Sequence, residues 1–247
     1  MKTIRMEEMN WPDVREAIAA GYTTAVFAVG STEQHGPHLP TMTDSRIGDA
    51  VAHRVALKLG HALQARTVHL GVSEHHLAFG ATISLRPETL RLIMRDCVDS
   101  LVRDGFKRVV ILPIHGGNFA PTAEAVENAR KVHPDVEISA YTDLLGMTRF
   151  FSSASAEYGV SAGESGSHAG ESETSIMMAL EPSLVARERF APGYVGPLGE
   201  REVKIVFEKG MPALTQNGVL GDPRKASAEK GEVYLEKLAE FLVKEID

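Results

Sequence analysis

Glu33, His35, His38 and Asp44 lie in one short stretch, residues 30–44, and all four have side chains able to bind a divalent metal. Glu33 and His35 are two residues apart, so on an extended backbone they point the same way. Carboxylate oxygens and an imidazole together suit zinc or manganese. Gly36, Pro37 and Pro40 give the stretch a fixed course without regular structure. Asp44 also suits a plainer role, capping the helix that follows. Two more stretches carry the same chemistry. In His115-Gly-Gly-Asn118 nothing bulky stands beside the histidine. In His168-Ala-Gly-Glu171-Ser-Glu173 the glutamates open a helical pattern, where first-turn carboxylates complement the helix dipole. His168 has no such structural reason to be there.

An apolar, β-rich run at residues 24–29 delivers the first stretch, and a helical stripe over residues 46–59 follows it. The apolar run 109–114 reads as a central parallel strand that delivers His115 into a helix over 120–132. A phosphate cradle is the competing reading of that loop. It lacks the spacing and lysine of a P-loop, and Glu33 and Asp44 would repel a phosphate. Residues 87–105 form the clearest helix, and Cys97 falls on its apolar face as a small core residue. Short strands are predicted at 67–70, 136–141 and 203–207, and a terminal helix at 226–246. In the loop 71–82 the adjacent Glu74, His75 and His76 beside glycines suggest pocket lining, and an ordinary solvated loop is the favoured reading. Residues 142–167, rich in Ser and Gly, carry little pattern and are predicted to form a lid or an oligomer contact.

This alternation predicts one domain, residues 1–247, with a three-layer α/β/α architecture and a mostly parallel sheet. Loops after the strands then bring Glu33, His35, Asp44, His115, His168 and a glutamate of 171–173 to one edge. Composition narrows the function further. With 43% hydrophobic and 24% charged residues among 247, the chain has the makeup of an ordinary globular protein. A net charge of −7 offers no basic surface for nucleic acid. No window approaches the ~20 apolar residues of a membrane span, and the first residues hold no apolar signal core. A single cysteine cannot form an internal disulfide, which points to a reducing, cytoplasmic setting.

Taken together, Gly-Ser-Thr-Glu33-Gln-His35-Gly with Asp44, His115-Gly-Gly-Asn118 and His168-Ala-Gly-Glu-Ser-Glu173-Thr-Ser resemble the motifs of the creatininase (creatinine amidohydrolase) family. The resemblance runs from Trp11 to residue 231. It implies two divalent metal ions per chain, zinc and/or manganese, with iron as a further candidate. By position, Glu33 and His115 would hold one ion, His35 the other, and Asp44 would bridge both. Such a pair, roughly 3.5–4 Å apart, activates water and polarises a carbonyl. His168 matches the catalytic histidine that passes a proton to the leaving group. A homo-oligomer, a hexamer, is also implied.

The departures shape the expected substrate. The creatinine-cleaving members follow the metal histidine with Tyr and a metal-binding Glu, and here those places are Gly116 and Gly117. Glu173 is expected to complete the second metal site, with Glu171 or water as alternatives. Those members also box their substrate with tryptophans, whereas the matching positions here are Thr142 and Glu164. A wider, more polar pocket is therefore expected. The expected activity is hydrolysis of a C–N bond, in a cyclic amide or a formamide, of a small polar metabolite other than creatinine. Ring opening of a cyclic keto-polyol or lactone is the alternative on the same site. A non-catalytic metal- or nucleotide-binding module is the alternative of another class.

Overall fold

Pro12 and Asp13 open the first helix, α1 (Trp11–Ala19), and the chain turns at Gly21 into β1 (Thr24–Val29). There follow α2 (Thr43–Leu59), β2 (Ala62–Gln64), α3 (Pro87–Asp104), β3 (Arg108–Pro113), α4 (Phe119–Val132) and β4 (Glu137–Ala140). The chain continues through α5 (Leu144–Ala156), α6 (Ala162–Ser165), α7 (Glu171–Leu180), α8 (Glu200–Lys209) and α9 (Ala228–Ile246). This computed structural model describes residues 1–246. The strands lie in the order β2-β1-β3-β4 and every neighbouring pair is parallel. The expected α/β architecture is what the chain forms.

β1 and β3 are buried on both faces, as central parallel strands must be. Their side chains alternate between two cores. Val26, Ala28, Val110 and Leu112 pack with residues of α2, α7 and α9. Ala25, Phe27, Val109 and Ile111 pack with Leu90, Met94 and Val98 of α3 and Val126 of α4. Fully burying each large apolar side chain is worth about 1.5–3 kcal/mol. The sheet is therefore a rigid base for whatever its carboxyl edge carries.

Two predicted strands need correction, and one weakly patterned segment gains regular structure. The strand beside β1 is Ala62–Gln64 rather than residues 67–70, where Val68 makes only an isolated bridge to Val29. Pairing at the earlier position buries Ala62 and Leu63 almost completely, which the more polar Thr-Val-His-Leu run does not match. Residues 142–167, weakly patterned in sequence, contain α5 and α6 joined by residues 157–161. Asp143 caps α5 by accepting from the Gly146 N–H at 2.8 Å, and Ser161 with Glu164 forms a capping box on α6. The segment also joins the core through Met147 and Ala154. Residues 203–207 lie in α8, not in a strand. Their β-branched content favours a strand. Yet Val203, Val206 and Phe207 recur at helical spacing, and Glu202 accepts from the Gly199 N–H at 3.2 Å as a cap.

One contact ties the fold to the chemistry. A Cβ on Gly30 would lie 2.6 Å from Ser45 Cα and 2.7 Å from Ser45 N. The start of α2 thus abuts the end of β1, and that approach sets Asp44 beside the loop after β1. Overpacking of this kind typically costs about 1–3 kcal/mol. Gly30→Ala is expected to lower stability by that amount in urea unfolding. An unchanged midpoint would show that the two backbones are free to separate.

Candidate functional site

The loops after β1, β2 and β3 meet at the carboxyl edge of the sheet, and Asn118 fastens them. Its Nδ2 donates to the Gly30 carbonyl at 2.9 Å and the Val29 carbonyl at 3.1 Å, while its Oδ1 accepts from the Val72 N–H at 3.0 Å. A Cβ on Gly117 would stand 1.9 Å from the Val72 carbonyl oxygen, so only glycine lets the β3 loop lie against the β2 loop. His168 arrives from the far side, held by the Leu220 N–H on its own carbonyl at 2.9 Å.

Within this edge Glu33, His35, Asp44 and His115 are all at least 97% buried. His115 Nδ1 lies 3.1 Å from Glu33 Oε1 and 3.4 Å from Asp44 Oδ2. His35 Nε2 lies 3.2 Å from Asp44 Oδ1 and 3.8 Å from Glu173 Oε2. Asp44 therefore presents one oxygen to each histidine. The outer nitrogens of both rings are already used: His35 Nδ1 faces the Glu33 carbonyl at 3.2 Å, and His115 Nε2 faces the Val72 carbonyl at 2.9 Å. Each outer nitrogen donates, which turns the lone pair of the other inward. Both Glu33 oxygens, Asp44 Oδ2 and His35 Nε2 are buried without a hydrogen bond.

Inward lone pairs facing carboxylates at these distances call for positive charge, supplied by protons or by cations. The pKa shifts report the same demand. Burial opposes charge on His35, but Asp44 above all, then Glu173 and Glu33, push its pKa up to about 9. Burial is likewise outweighed at His115, which Glu33 and Asp44 hold well above its ordinary value. Burial raises Glu173 to about 7 against the pull of His35. This donor set fits divalent metals: Glu33 and His115 on one side of Asp44, His35 and Glu173 on the other.

His168 lies beside this set, its Nδ1 at 3.7 Å from Glu33 Oε1. Its Nε2 donates to the Gln34 carbonyl at 2.8 Å, so Nδ1 carries the lone pair when the ring is neutral. Burial, followed by the charge on His35, lowers its pKa well below the ordinary value. Glu171 is elsewhere. Its buried carboxylate accepts from Ser155 at 3.2 Å, Ser175 at 3.0 Å and Lys230 at 2.8 Å, joining α7 to α9. His38 is also set apart, its Nε2 on Thr174 Oγ1 at 3.0 Å. Burial and then His35 lower its pKa to about 4.

The loop 71–82 departs from the solvated reading. Glu74 is exposed, but His76 is 2% exposed and its Nε2 is 3.3 Å from Glu33 Oε1. His75 lines the pocket above and stacks on His115 with ring centroids 5.5 Å apart. Gln34, which the sequence did not single out, reaches His76 through its side-chain NH₂ and accepts from His168 Nε2 through its carbonyl. The available signal was positional: this loop leaves the sheet at the same edge as the two loops that were recognised.

The pocket over these residues holds about 80 Å³ and is walled by Leu144, Leu198, Val203, Val206, Phe207 and Met211. α8 lays its apolar face over the site, above a polar floor of His75, His76, His115 and His168. Glu164 is engaged with Lys225 at 2.8 Å instead of lining the pocket. Near Thr148 and Leu198 the pocket adjoins a larger groove of about 840 Å³ between α5 and residues 195–199.

Comparison with known proteins places this geometry. The family profile described as "Creatininase: Creatinine amidohydrolase" matches residues 7–246. The mycofactocin precursor peptide peptidase of Mycobacterium ulcerans is 31% identical over 233 residues, covering 91% of this chain and 85% of that protein. The creatinine amidohydrolase of Pseudomonas putida is 29% identical over 247 residues, covering 95% and 93%. A solved structure titled "Creatininase Mn" superposes with a TM-score of 0.81 at 27% identity, covering 99% of this chain and 97% of that one.

The raised pKa of His35 gives metal uptake a definite sign. Below pH 9 this ring carries a proton that a metal must expel, so affinity should rise with pH toward 9 and uptake should release protons. An unshifted histidine, with a pKa near 6.5, would already be neutral at pH 8. Calorimetric zinc titration at pH 8 in buffers of different ionisation enthalpy is expected to show proton release. Uptake without release would mean that His35 is neutral before the metal arrives.

Proposed function

The chain belongs to the creatininase (creatinine amidohydrolase) family, and from that premise we propose that it is a dinuclear metal-dependent amidohydrolase cleaving a C–N bond. The observation that carries this reading is Asp44, whose two oxygens face His35 and His115 separately while Glu33 and Glu173 flank the pair. Two divalent ions, zinc or manganese, bound by these five residues would polarise a carbonyl and acidify water. The protein's own part is to fix geometry and move one proton. As water adds to the amide carbon, Nδ1 of His168 takes a proton from that water, and it returns the proton to the leaving nitrogen as the C–N bond breaks. That atom is suited to the task because the Gln34 carbonyl occupies the other ring nitrogen at 2.8 Å. The apolar walls shed water from the reacting groups as substrate enters.

The substrate reading follows from the pocket. About 80 Å³ above the site admits only a compact reacting end, and its walls favour an apolar neighbour. The adjoining groove favours a substrate whose remainder extends outward, as the end of a peptide does. The relative named as a peptide peptidase supports this version. A formamide or small cyclic amide is the second reading, favoured by the small inner volume alone. The proposal takes the whole chain as one domain, assembled as a homo-oligomer, in a reducing cytoplasm that suits the unpaired Cys97. No helix among the described residues is long and apolar enough to cross a membrane.

His168→Ala separates chemistry from binding. The variant is expected to fold, to retain both metals by elemental analysis, and to lose about 10²–10⁴-fold in kcat on whichever amide of a formamide, cyclic amide and short-peptide panel the wild type cleaves. Turnover near the wild-type rate would return His168 to a structural role.

A further inference from the structure

We infer that His76, although it lies among the ligands, is not one of them: Gln34 fixes it in the Nε2–H tautomer, and it acts on Glu33 as a positioning residue. The inference rests on the reading of Glu33 as a metal ligand.

The Gly36 N–H can only donate, and it lies 2.9 Å from Gln34 Oε1. That contact identifies the amide oxygen and leaves Nε2 of Gln34 as the NH₂ group. This NH₂ lies 2.8 Å from His76 Nδ1 and 3.3 Å from the Gly218 carbonyl, so its two hydrogens have two acceptors. His168 Nε2 is also 3.0 Å away, but that nitrogen donates to the Gln34 carbonyl and does not compete. Flipping the amide fails, because it would set NH₂ against the Gly36 N–H and oxygen against the Gly218 carbonyl.

His76 Nδ1 therefore accepts, and its proton must be on Nε2. A doubly protonated ring fails for the same reason, since Nδ1–H would face the Gln34 NH₂. Nε2–H then stands 3.3 Å from Glu33 Oε1, a favourable contact with a buried carboxylate that no Lys or Arg reaches among the described residues. To ligate a metal, Nε2 would need its lone pair, and Nδ1 would have to carry the proton against Gln34. Proximity alone groups His76 with Glu33 and His168, and with His75 and His115, as possible metal clusters. Hydrogen-bond polarity removes it from both. Its place is beside His115 on the same Glu33 oxygen, where its N–H steadies the carboxylate.

Long-range ¹H–¹⁵N correlation spectra of the labelled full chain, before and after two equivalents of zinc, read the proton on each ring nitrogen. His76 is expected to show a bare Nδ1 and a protonated Nε2 in both spectra. Gln34→Glu, which sets a carboxylate oxygen opposite Nδ1, is expected to put a proton there. His76→Gln is expected to keep two zinc ions per chain at about 10–100-fold weaker affinity, the usual effect of losing an outer-shell partner. A protonated Nδ1 in the wild type, or loss of one zinc equivalent in His76→Gln, overturns the inference. If the wild type takes up no zinc at all, the metal reading of Glu33 fails, while the tautomer is still decided by the metal-free spectrum.

Discussion

Two carboxylates buried without a cationic side chain are the constraint on which this structure turns. Glu33 is wholly buried and Asp44 is 2% exposed, and the ion-pairing groups within 4 Å of them are histidines. Removing one ionised carboxylate from water costs several kcal/mol even after relaxation. No globular protein of marginal stability carries two such groups at one point without compensation. The chain answers with inward-facing imidazole nitrogens, and these in turn require a proton or a metal between each nitrogen and its oxygen. Raised histidine pKa values and affinity for divalent ions are thus two expressions of one electrostatic demand.

The fold meets the demand by convergence of loops. Parallel strands all end on the same edge, and each loop needs only a small adjustment to present its side chain there. Asn118 supplies one adjustment by bonding to both Gly30 and Val72. Gly30 and Gly117 supply two more, through backbone approaches closer than any Cβ permits. Around these side chains stands a second set of polar groups: Gln34 bonds to the His76 ring, Ser73 to the His115 ring, and His76 faces the Glu33 carboxylate. Over them lies α8, an apolar cover for a polar floor.

Much of this was legible in the sequence. Apolar runs at β1 and β3 read as central strands because both faces of each are buried. Glu33, His35, Asp44, His115, His168 and Glu173 stood out because they sit at strand ends or helix starts, and the structure gathers them within a few ångströms. Glu171, two residues from Glu173, belongs to a helix-to-helix network instead, since positions two apart on a helix face different ways. The roles of His76 and Gln34 were not legible, because they depend on contacts among residues 34, 76, 168 and 218, which are distant in sequence. The apolar pocket wall was hidden for another reason. Val203, Val206 and Phe207 have strand-like composition, and only their three- and four-residue spacing reveals the helix that turns them onto the site.

The central claim is that Asp44 joins two metal ions rather than serving one, and electron paramagnetic resonance of the manganese-loaded chain tests it most directly. A carboxylate bridge couples the spins of two Mn(II) ions. At two equivalents per chain the expected result is the broad, temperature-dependent spectrum of an exchange-coupled pair. The six-line spectrum of isolated Mn(II) at full loading, or a chain that binds a single ion, would contradict it.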